Sequence, residues 1–351
     1  METRSAGGYY ASMRRRIRLR DIADELGLSV STVSLALRRD PRIPPETAER
    51  IRTTAARLGY IYNRAAADLR QSRSSLVAVG LSDLSNPVFN EFLKHIQDEL
   101  TKHGRHVFLG VAREDPDLQR AFLQTALEQG VGGVILCPVR GTTPADLDML
   151  VPEGALSATT PTVIFSRAMP GLPVPQFVND DLMAGRMAAE CLLKAGHRRL
   201  CWLGGGHESS TARNRLKGCL NAIAAHGEAP PPRLVHGPTT RRFGFEAARA
   251  ANEGPDPPTG FVCFSDLIAF GVIAACHDAG MMPGRDIAII GCDDMEEASF
   301  TSPGLTTIQV DKSGIGCGAA RQIISADALT AEVVFTPKLI HRGTVGPAVL
   351  E

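Results

Sequence analysis

Three stripes of apolar residues at helical spacing mark the region near the amino terminus. Their members lie three or four positions apart, and they are Ile22, Ala23 and Leu26, then Val33, Ala36 and Leu37, then Ile51, Ala55 and Leu58. This spacing places each stripe on one face of an α-helix. Gly27 separates the first helix from the second, and Ser29 can cap the second because its hydroxyl accepts a backbone N–H. The pattern predicts a helix–turn–helix over residues 17–62, whose second helix would lie in the DNA major groove.

Beyond residue 75 short apolar runs alternate with longer amphipathic stretches. The apolar runs predict strands at 76–81, 106–111, 134–137, 162–165, 199–203, 260–264 and 287–291. The amphipathic stretches between them predict helices, for example at 89–100 and 181–195. Strands that alternate with helices indicate parallel sheets covered by helices. The fold class predicted is therefore α/β, with an all-α head in front of two doubly wound lobes.

The boundaries of the two lobes follow from the punctuation of this pattern. The proline-rich segment PGLPVP at 170–175 suggests a first crossing between lobes, and the chain is expected to recross near 305–310. We therefore predict a first lobe of about 74–173 and 306–333, and a second of about 174–305 and 334–351. Ligands of open α/β sheets bind beyond the carboxyl ends of the strands. The cleft between the lobes is the expected small-molecule site.

Charge is distributed unevenly along the chain. The 351 residues carry equal numbers of basic and acidic side chains, but residues 1–73 hold 15 Arg against 8 Asp and Glu, which leaves this part at +7 and the remainder at −7. A basic head on an acidic body is typical of a nucleic-acid-binding protein. The alternative for the head is a plain three-helix bundle with a solvated Ser/Thr face. Residues 1–16 lack periodicity and are predicted to be a disordered basic tail, able to contact phosphates non-specifically.

Signals for an enzyme, a metal or a membrane are weak. None of the eight cysteines has C-x-x-C spacing, so we interpret them as reduced core residues of a cytoplasmic protein. No apolar run approaches the length of a membrane span, and the amino terminus lacks an apolar signal segment. The glycines at 204–206 lack the spacing of a nucleotide loop and suggest a cleft loop. With no catalytic constellation visible, we expect no enzyme activity, no cofactor and no metal site.

Two long segments carry a resemblance to a known family. The stretches RDIADELGLSVSTVSLALR and IPPETAERIRTTAARLGYIYNRAAADLR resemble the DNA-binding head and hinge of the lactose-repressor/galactose-repressor family of bacterial transcription regulators, and the similarity continues through nearly the whole chain. The resemblance implies a hinge helix within residues 63–73. It also implies a periplasmic-binding-protein-like core over residues 74–351 that binds an effector and dimerises. A regulator of this kind, here expected to be a repressor, binds a palindromic operator as a homodimer.

The resemblance assigns candidate DNA contacts by position. Leu19, Arg20, Ser29 and Ser34 would touch the DNA backbone, Val30, Ser31 and Leu35 would face bases, and Asn63, Ala66 and Leu69 would enter the minor groove with Leu69 as a wedge. Thr32 shares the polar face of the second helix. Tyr62 stands where the family usually has proline, and Leu35 where some members carry a base-reading arginine.

The resemblance also implies ligand contacts. Arg215 and Asp293 match positions that hold the effector, and a guanidinium and a carboxylate suit sugar hydroxyls because one donates and the other accepts paired bonds. The other candidates lie at predicted strand ends and are Ser85, Phe89, Ser166, Arg167 and Ser265. Ser166 and Ser265 replace the aspartate and asparagine of many relatives. Thr239 and Val310 also depart from the family pattern.

The effector class therefore stays open at this stage. A sugar is expected, and Arg241 and Arg242 could favour an acidic ligand such as a sugar acid. The alternatives are a solute-binding protein without DNA activity and an α/β enzyme that acts on a small sugar-like molecule. The first alternative requires an export signal and no basic head, and the second requires a catalytic constellation.

Overall fold

The computed structural model describes residues 17–61 and 74–348, apart from 153–157, 159, 207 and 326–331. The chain divides into two compact units, residues 1–73 and 74–351. We call the described part of the first unit the head and the second unit the body. The basic tail and the hinge positions Asn63, Ala66 and Leu69 lie outside the described residues.

Within residues 17–61 the head forms three helices, α1 (Leu19–Leu26), α2 (Val30–Leu37) and α3 (Pro45–Leu58). The first helix ends at Gly27, whose φ of 64° is left-handed and suits a residue without a β-carbon. The second begins at Ser29, whose Oγ accepts a hydrogen bond from the backbone N of Thr32 at 3.1 Å. The predicted helix–turn–helix and its serine cap are confirmed.

The head is held together by the predicted apolar stripes. Ile22, Val33 and Ile51 are fully buried, one from each helix. Ala23, Ala36 and Ala55 pack beside them in the same cluster. Full burial of an isoleucine side chain contributes roughly 1.5–3 kcal/mol. Three such residues form a large share of a core this small, because few other side chains are completely removed from water.

The body contains, among the described residues, two six-stranded sheets. The strands of the body are β1 (Leu76–Leu81), β2 (His106–Val111), β3 (Val134–Leu136), β4 (Thr162–Ser166), β5 (Gln176–Asn179), β6 (Leu200–Leu203), β7 (Arg233–Val235), β8 (Gly260–Cys263), β9 (Ala288–Asp293), β10 (Thr306–Gln309), β11 (Glu332–Phe335) and β12 (Lys338–Ile340). The first sheet has the order β11-β5-β4-β3-β1-β2 and the second the order β12-β10-β9-β8-β6-β7. The pairs are parallel apart from β12, which lies antiparallel to β10.

Helices cover both sheets. They are α4 (Val88–Lys102), α5 (Pro116–Glu128), α6 (Asp181–Lys194), α7 (Ser210–His226), α8 (Arg241–Asn252), α9 (Asp266–Asp278) and α10 (Lys312–Ile324), with 3-10 turns at Pro144–Leu147 and Glu296–Ser299. Helices α4, α5 and α10 pack on the first sheet to form the first lobe, and α6 to α9 accompany the second. Two doubly wound lobes were predicted, and this fold class is confirmed.

The predicted lobe boundaries require correction. Strand β5, placed in the second lobe by sequence, pairs with β4 in the first sheet. Strand β10, placed in the first lobe, pairs with β9 in the second. The chain crosses between lobes after β5, after β10 and after β11. The proline-rich segment 170–175 links β4 to β5 within the first lobe and is not a crossing. The prediction was wrong because β5 is a buried strand of four residues, which is too short to show a periodicity in the sequence.

Glycines at the contact between α6 and α7 allow these helices to approach closely. A β-carbon on Gly185 would overlap the carbonyl oxygen of Arg215, and one on Gly218 would overlap the carbonyl oxygen of Leu182. At both glycines the backbones of α6 and α7 are in direct contact.

All eight cysteines are free, and seven of them are buried. Among the described residues no helix has both the length and the apolar character needed to cross a bilayer. In the same ranges no three His, Cys, Asp or Glu side chains gather as a metal site.

Candidate functional site

A cavity of about 280 Å³ lies between the carboxyl ends of the two sheets. We call it the interlobe cavity. Its polar lining in the first lobe consists of Asp83, Ser85, Asn86, Glu114, Arg140, Ser166, Arg167 and Asn179, and in the second of Asp181, Thr211, Arg215, Thr239, Thr240 and Asp293. Apolar walls come from Phe89, Phe92, Phe264, Val310 and nearby residues. A polar cavity with aromatic surfaces suits a small molecule that carries both hydroxyl groups and an apolar face.

Arg215, on the first turns of α7, is the centre of the second lobe's contribution. Its Nε donates to Oδ1 of Asp181 at 2.9 Å, and its Nη1 donates to Oδ1 of Asp293 at 3.2 Å. The same Nη1 donates to the carbonyl oxygen of Phe264 at 2.8 Å. The guanidinium also lies 5.1 Å from the centre of the Phe264 ring. Since Arg215 is only 6% exposed, these contacts fix its orientation toward the cavity.

Burial and charge act against each other in this cluster. Burial raises the pKa of Asp293 to about 6, although Arg215 and Lys312 oppose the shift. Burial likewise raises the pKa of Asp181 against the effect of Arg215. Burial disfavours the charged form of Arg215, but Cys292 and the two aspartates hold its pKa above the usual value. One guanidinium serves two carboxylates, so the cation is fully compensated while each anion is compensated only in part.

A second charged cluster belongs to the first lobe. Glu114 accepts from Nη2 of Arg167 at 2.6 Å and from Nη1 at 2.9 Å, and also from the backbone N of Arg140 at 2.9 Å. Arg113 and Glu114 have φ values of 52° and 58°, an uncommon left-handed turn that directs the carboxylate into the cleft. Burial raises the pKa of Glu114, but the bonds from Arg167 and Arg140 outweigh it and bring the pKa below its usual value.

Two polar atoms of cavity-lining residues are buried without a hydrogen-bond partner among the described residues. They are Oδ1 of Asn179 and Oγ1 of Thr211. An unpaired buried polar atom costs free energy, so such atoms are rare in folded proteins. Both residues stand at the ends of elements that open on the cavity, where hydroxyl groups of a bound molecule could satisfy them after small side-chain movements.

Six of the seven predicted ligand residues line the interlobe cavity, namely Ser85, Phe89, Ser166, Arg167, Arg215 and Asp293. Ser265 does not. It is 1% exposed, and its Oγ caps α9 by accepting from the backbone N of Ile268 at 3.4 Å. A serine between a strand and a helix is a favoured helix cap, and this local role explains its position.

Two other expectations for the cavity are corrected. Arg241 and Arg242 are exposed on α8 and do not line it; they pair with Glu297 at 3.3 Å and with Glu246 at 4.0 Å. The glycines at 204–206 also lie outside the lining, and Gly205 instead packs against the Phe264 ring.

Several lining residues were missed by sequence reasoning. They are Asp83, Glu114, Arg140, Asn179, Asp181, Thr211 and Phe264. Asn179 is the last residue of β5 and Asp181 lies two positions beyond it, so recognition of that strand would have indicated both through the strand-end rule. Glu114 lies in the turn after β2 and Arg140 in the turn after β3, so the same strand-end rule would have indicated them.

In the head the candidate DNA contacts divide by exposure. Arg20, Ser29, Val30 and Ser31 are exposed, and Leu19, Thr32 and Leu35 are half-buried. Ser34 is 7% exposed and faces the head's interior, contrary to the prediction of a backbone contact. The exposed start of α2 is the surface that could enter a groove.

Comparison with known proteins adds a family context. Residues 18–63 match the family described as bacterial regulatory proteins, lacI family, and residues 189–345 match the periplasmic binding protein-like domain. The HTH-type transcriptional repressor CytR of Escherichia coli (strain K12) is 26% identical over 299 residues, which cover 85% of this chain and 86% of that protein. The HTH-type transcriptional regulator AglR of Rhizobium meliloti (strain 1021) is 29% identical over 348 residues, or 95% of each.

Solved structures give the same picture of the fold. A lac repressor dimer bound to operator and an anti-inducer has a TM-score of 0.83 at 24% identity, covering 95% of this chain and 100% of that chain. A LacI-family regulator from Silicibacter pomeroyi has a TM-score of 0.83 at 26% identity, covering 94% and 99%. The head and the two-lobed body therefore occur together in proteins of known structure.

Proposed function

Since the chain belongs to the lacI family of bacterial regulatory proteins and is a DNA-binding transcriptional repressor, we propose that a small neutral sugar in the interlobe cavity controls its binding to a two-fold-symmetric operator. The resemblance stated from the sequence is confirmed at the level of the family. The relatives are named as transcriptional regulators, and the chain is a regulator, not an enzyme. The proposal concerns the effector class, the symmetry of the operator and the oligomeric state.

The exposed start of α2 supports the DNA contacts. Val30 and Ser31 are exposed there, and small side chains allow a helix to approach base edges closely. Arg20 on α1 is exposed and can reach a phosphate. We keep Leu19, Ser29, Thr32 and Leu35 as flanking contacts and omit Ser34. For the hinge, the proposed minor-groove contacts of Asn63, Ala66 and Leu69 rest on the resemblance, because these residues lie outside the described part of the chain.

We infer a homodimer because each subunit has one DNA-binding head. One helix–turn–helix per subunit contacts one half-site, and paired half-sites with two-fold symmetry require two subunits. A homodimer acting on chromosomal DNA would work in the cytoplasm. A solute-binding protein without DNA activity, the alternative from the sequence, does not account for the lacI-family head at residues 18–63.

The charge balance of the interlobe cavity is the observation that favours a neutral effector over an acidic one. Its three guanidinium groups, on Arg140, Arg167 and Arg215, are already engaged by Glu114 or by Asp181 and Asp293. Asp83 adds a further carboxylate, so the charged lining has four acids against three bases. With one negative charge in excess in the lining, a ligand carboxylate would be disfavoured. A neutral polyol is therefore favoured over the sugar acid that the sequence left open.

The effector is tested by a thermal-shift screen of D-glucose, D-galactose, D-ribose, cellobiose and D-gluconate. A neutral sugar present at 100 times its Kd should stabilise the protein by about 2.7 kcal/mol, whereas gluconate should not. Asp293→Asn should abolish the thermal shift caused by the sugar. Glu297→Gln is the control, because Glu297 is an exposed acidic residue outside the cavity lining. A shift with gluconate alone would contradict the proposal.

The operator is tested by footprinting at physiological salt. We expect protection of two half-sites related by two-fold symmetry. Leu69→Ala should lower operator affinity more than non-specific affinity, because a wedge acts only on a bent site. Sedimentation of the free protein checks the dimer. Protection that is independent of sequence would refute specific binding.

A further inference from the structure

Lys312 occupies an unusual position at the first residue of α10. A positive charge at a helix amino terminus opposes the helix dipole, so this lysine does not stabilise its own helix. It is also only 8% exposed, and burying an ammonium group costs free energy unless polar groups surround it. The contacts of the ammonium group must therefore offset the cost of its burial.

The ammonium group joins the two lobes. Its Nζ donates to the carbonyl oxygen of Asp293 at 2.7 Å and to that of Asp294 at 2.8 Å, both at the end of β9 in the second lobe. The same Nζ lies 3.0 Å from Oε2 of Glu91 on α4 in the first lobe. Helix α10 itself packs on the first lobe. The three hydrogens of the ammonium group thus have acceptors on both sides of the chain crossings.

The two carbonyls that Lys312 binds belong to a strained turn. Asp293 has a φ of 121° and Asp294 a φ of 50°, and residues other than glycine seldom adopt such values. Strain of this kind persists where the surroundings hold it in place. Lys312 provides part of that hold, since it binds both carbonyl oxygens at once.

The side chains of the same turn point to different partners. Oδ1 of Asp293 accepts from Arg215 in the interlobe cavity. Asp294 accepts from Nη2 of Arg342 at 2.7 Å and from Nε2 of Gln309 at 2.9 Å. A relaxation of the turn would change the direction of the Asp293 carboxylate. Its aim into the cavity therefore depends on the contacts that fix the backbone behind it.

We propose that Lys312 is a positioning residue, which holds the Asp293–Asp294 turn so that Asp293 faces the interlobe cavity, and which connects this turn to Glu91 of the first lobe. Occupancy of the cavity and the relative placement of the lobes are coupled through this contact. The proposal rests on the proposed function for the identity of the ligand, but the local role of Lys312 does not.

Two substitutions separate the two ends of the contact. Lys312→Met removes the charge and the donors but keeps an unbranched apolar stem, and Glu91→Gln removes the charge of the first-lobe anchor alone. Lys102→Met is the matched control, because Lys102 pairs with Glu99 on the same lobe and its side chain is 63% exposed. Circular dichroism and the emission of Trp202, the one tryptophan of the chain, report whether each variant is folded.

Hydrogen–deuterium exchange without ligand is the first measurement. Lys312→Met should speed exchange in peptides that cover 291–298, and Lys102→Met should not. Calorimetry with D-glucose, D-galactose, D-ribose and cellobiose is the second. Any of these sugars that binds the parent should bind Lys312→Met about tenfold more weakly. Glu91→Gln should retain binding but show a smaller change of operator affinity on adding the same sugar.

The outcomes are distinguishable. Unchanged exchange and unchanged sugar affinity in a folded Lys312→Met would overturn the proposal. If no sugar binds the parent, the proposed effector class fails while the exchange measurement still decides the role of Lys312. If Lys312→Met does not fold, Lys312→Arg replaces it, and the guanidinium, unable to direct its donors to the same point, should produce the same faster exchange.

Discussion

Arg140 of the first lobe donates from Nη2 to Oγ1 of Thr239 in the second lobe over a distance of 2.8 Å. The backbone N of Gly141 donates to the carbonyl oxygen of Glu208 at 2.9 Å across the same gap. A further interlobe contact is formed by Lys312, near the chain crossings. The cavity is thus bridged on both sides, and its closure depends on residues that need not touch a ligand.

The bridge at Thr239 should contribute to effector affinity. Thr239→Val keeps the shape of the side chain but loses the acceptor for Arg140, and a hydrogen bond to a charged group is worth roughly 1.5–3 kcal/mol. Because the Arg140 side chain is 22% exposed, we expect the low end of this range, about a tenfold loss of affinity for the sugar that the screen identifies. Calorimetry measures it. The exposed Thr101→Val is the control, and equal affinities in both variants would contradict the role.

Arg215 should matter for stability as well as for binding. Arg215→Met leaves Asp181 and Asp293 buried without their cation, and breaking a buried ion pair on one side costs about 3–5 kcal/mol. Urea unfolding measures the loss. Lys217→Met, an exposed change on the same helix, should stay within about 0.5 kcal/mol of the parent. Adding Asp181→Asn and Asp293→Asn to Arg215→Met should recover part of the stability.

A loss of effector response in Arg215→Met therefore has two sources. Operator binding by the folded fraction should remain close to that of the parent, because Arg215 belongs to the body and not to the head. Fluorescence anisotropy with operator DNA, measured without denaturant and at low temperature, separates the loss of effector binding from the loss of stability.

The buried carboxyl of Asp266 should make stability dependent on pH. Asp266 is fully buried, accepts from Oγ1 of Thr307 at 2.5 Å and from the backbone N of Met295 at 2.8 Å, and burial raises its pKa to about 7. The folded state then holds the proton more tightly than the unfolded chain does. Its contribution to stability is present at low pH and is lost as the pH rises through the folded pKa.

Asp266→Asn removes this dependence. The unfolding free energy of the parent minus that of Asp266→Asn should decrease between about pH 4 and about pH 7 and level off above, as linkage requires. Urea titrations across this range measure the difference. A difference that stays constant, or that rises with pH, would show that the carboxyl is ionised throughout.

Ser31 should affect DNA specificity without affecting folding. It is exposed at the start of α2, and its Oγ lies 2.7 Å from Oγ of Ser29. Ser31→Ala should weaken operator binding by about 0.5–1.5 kcal/mol, the worth of a single neutral hydrogen bond, with little change in non-specific affinity. Anisotropy at one fixed salt concentration compares operator with random DNA. Thr53→Ala, an exposed change on α3, is the control.

The sequence by itself determined the elements and their faces. Helical spacing placed Ile22, Val33 and Ile51 in the core of the head, and Gly27 and Ser29 specified the turn between α1 and α2. Buried apolar runs indicated most of the parallel strands. These features are local, because the period of a helix or strand and the conformational freedom of a glycine act over a few residues.

The tertiary structure decided which distant residues meet. Arg215 joins Asp181 and Asp293, which lie 34 and 78 positions away, and no local pattern specifies such pairs. The sheet that β5 enters decided that Asn179 and Asp181 line the cavity. Ser265 lies at a strand end, as the pattern predicted, but it caps a helix and does not line the cavity. Its hydroxyl accepts the otherwise unpaired backbone N–H three residues ahead. Local periodicity determines which face of a helix or strand is buried, whereas the chain crossings between the lobes determine which distant residues become partners.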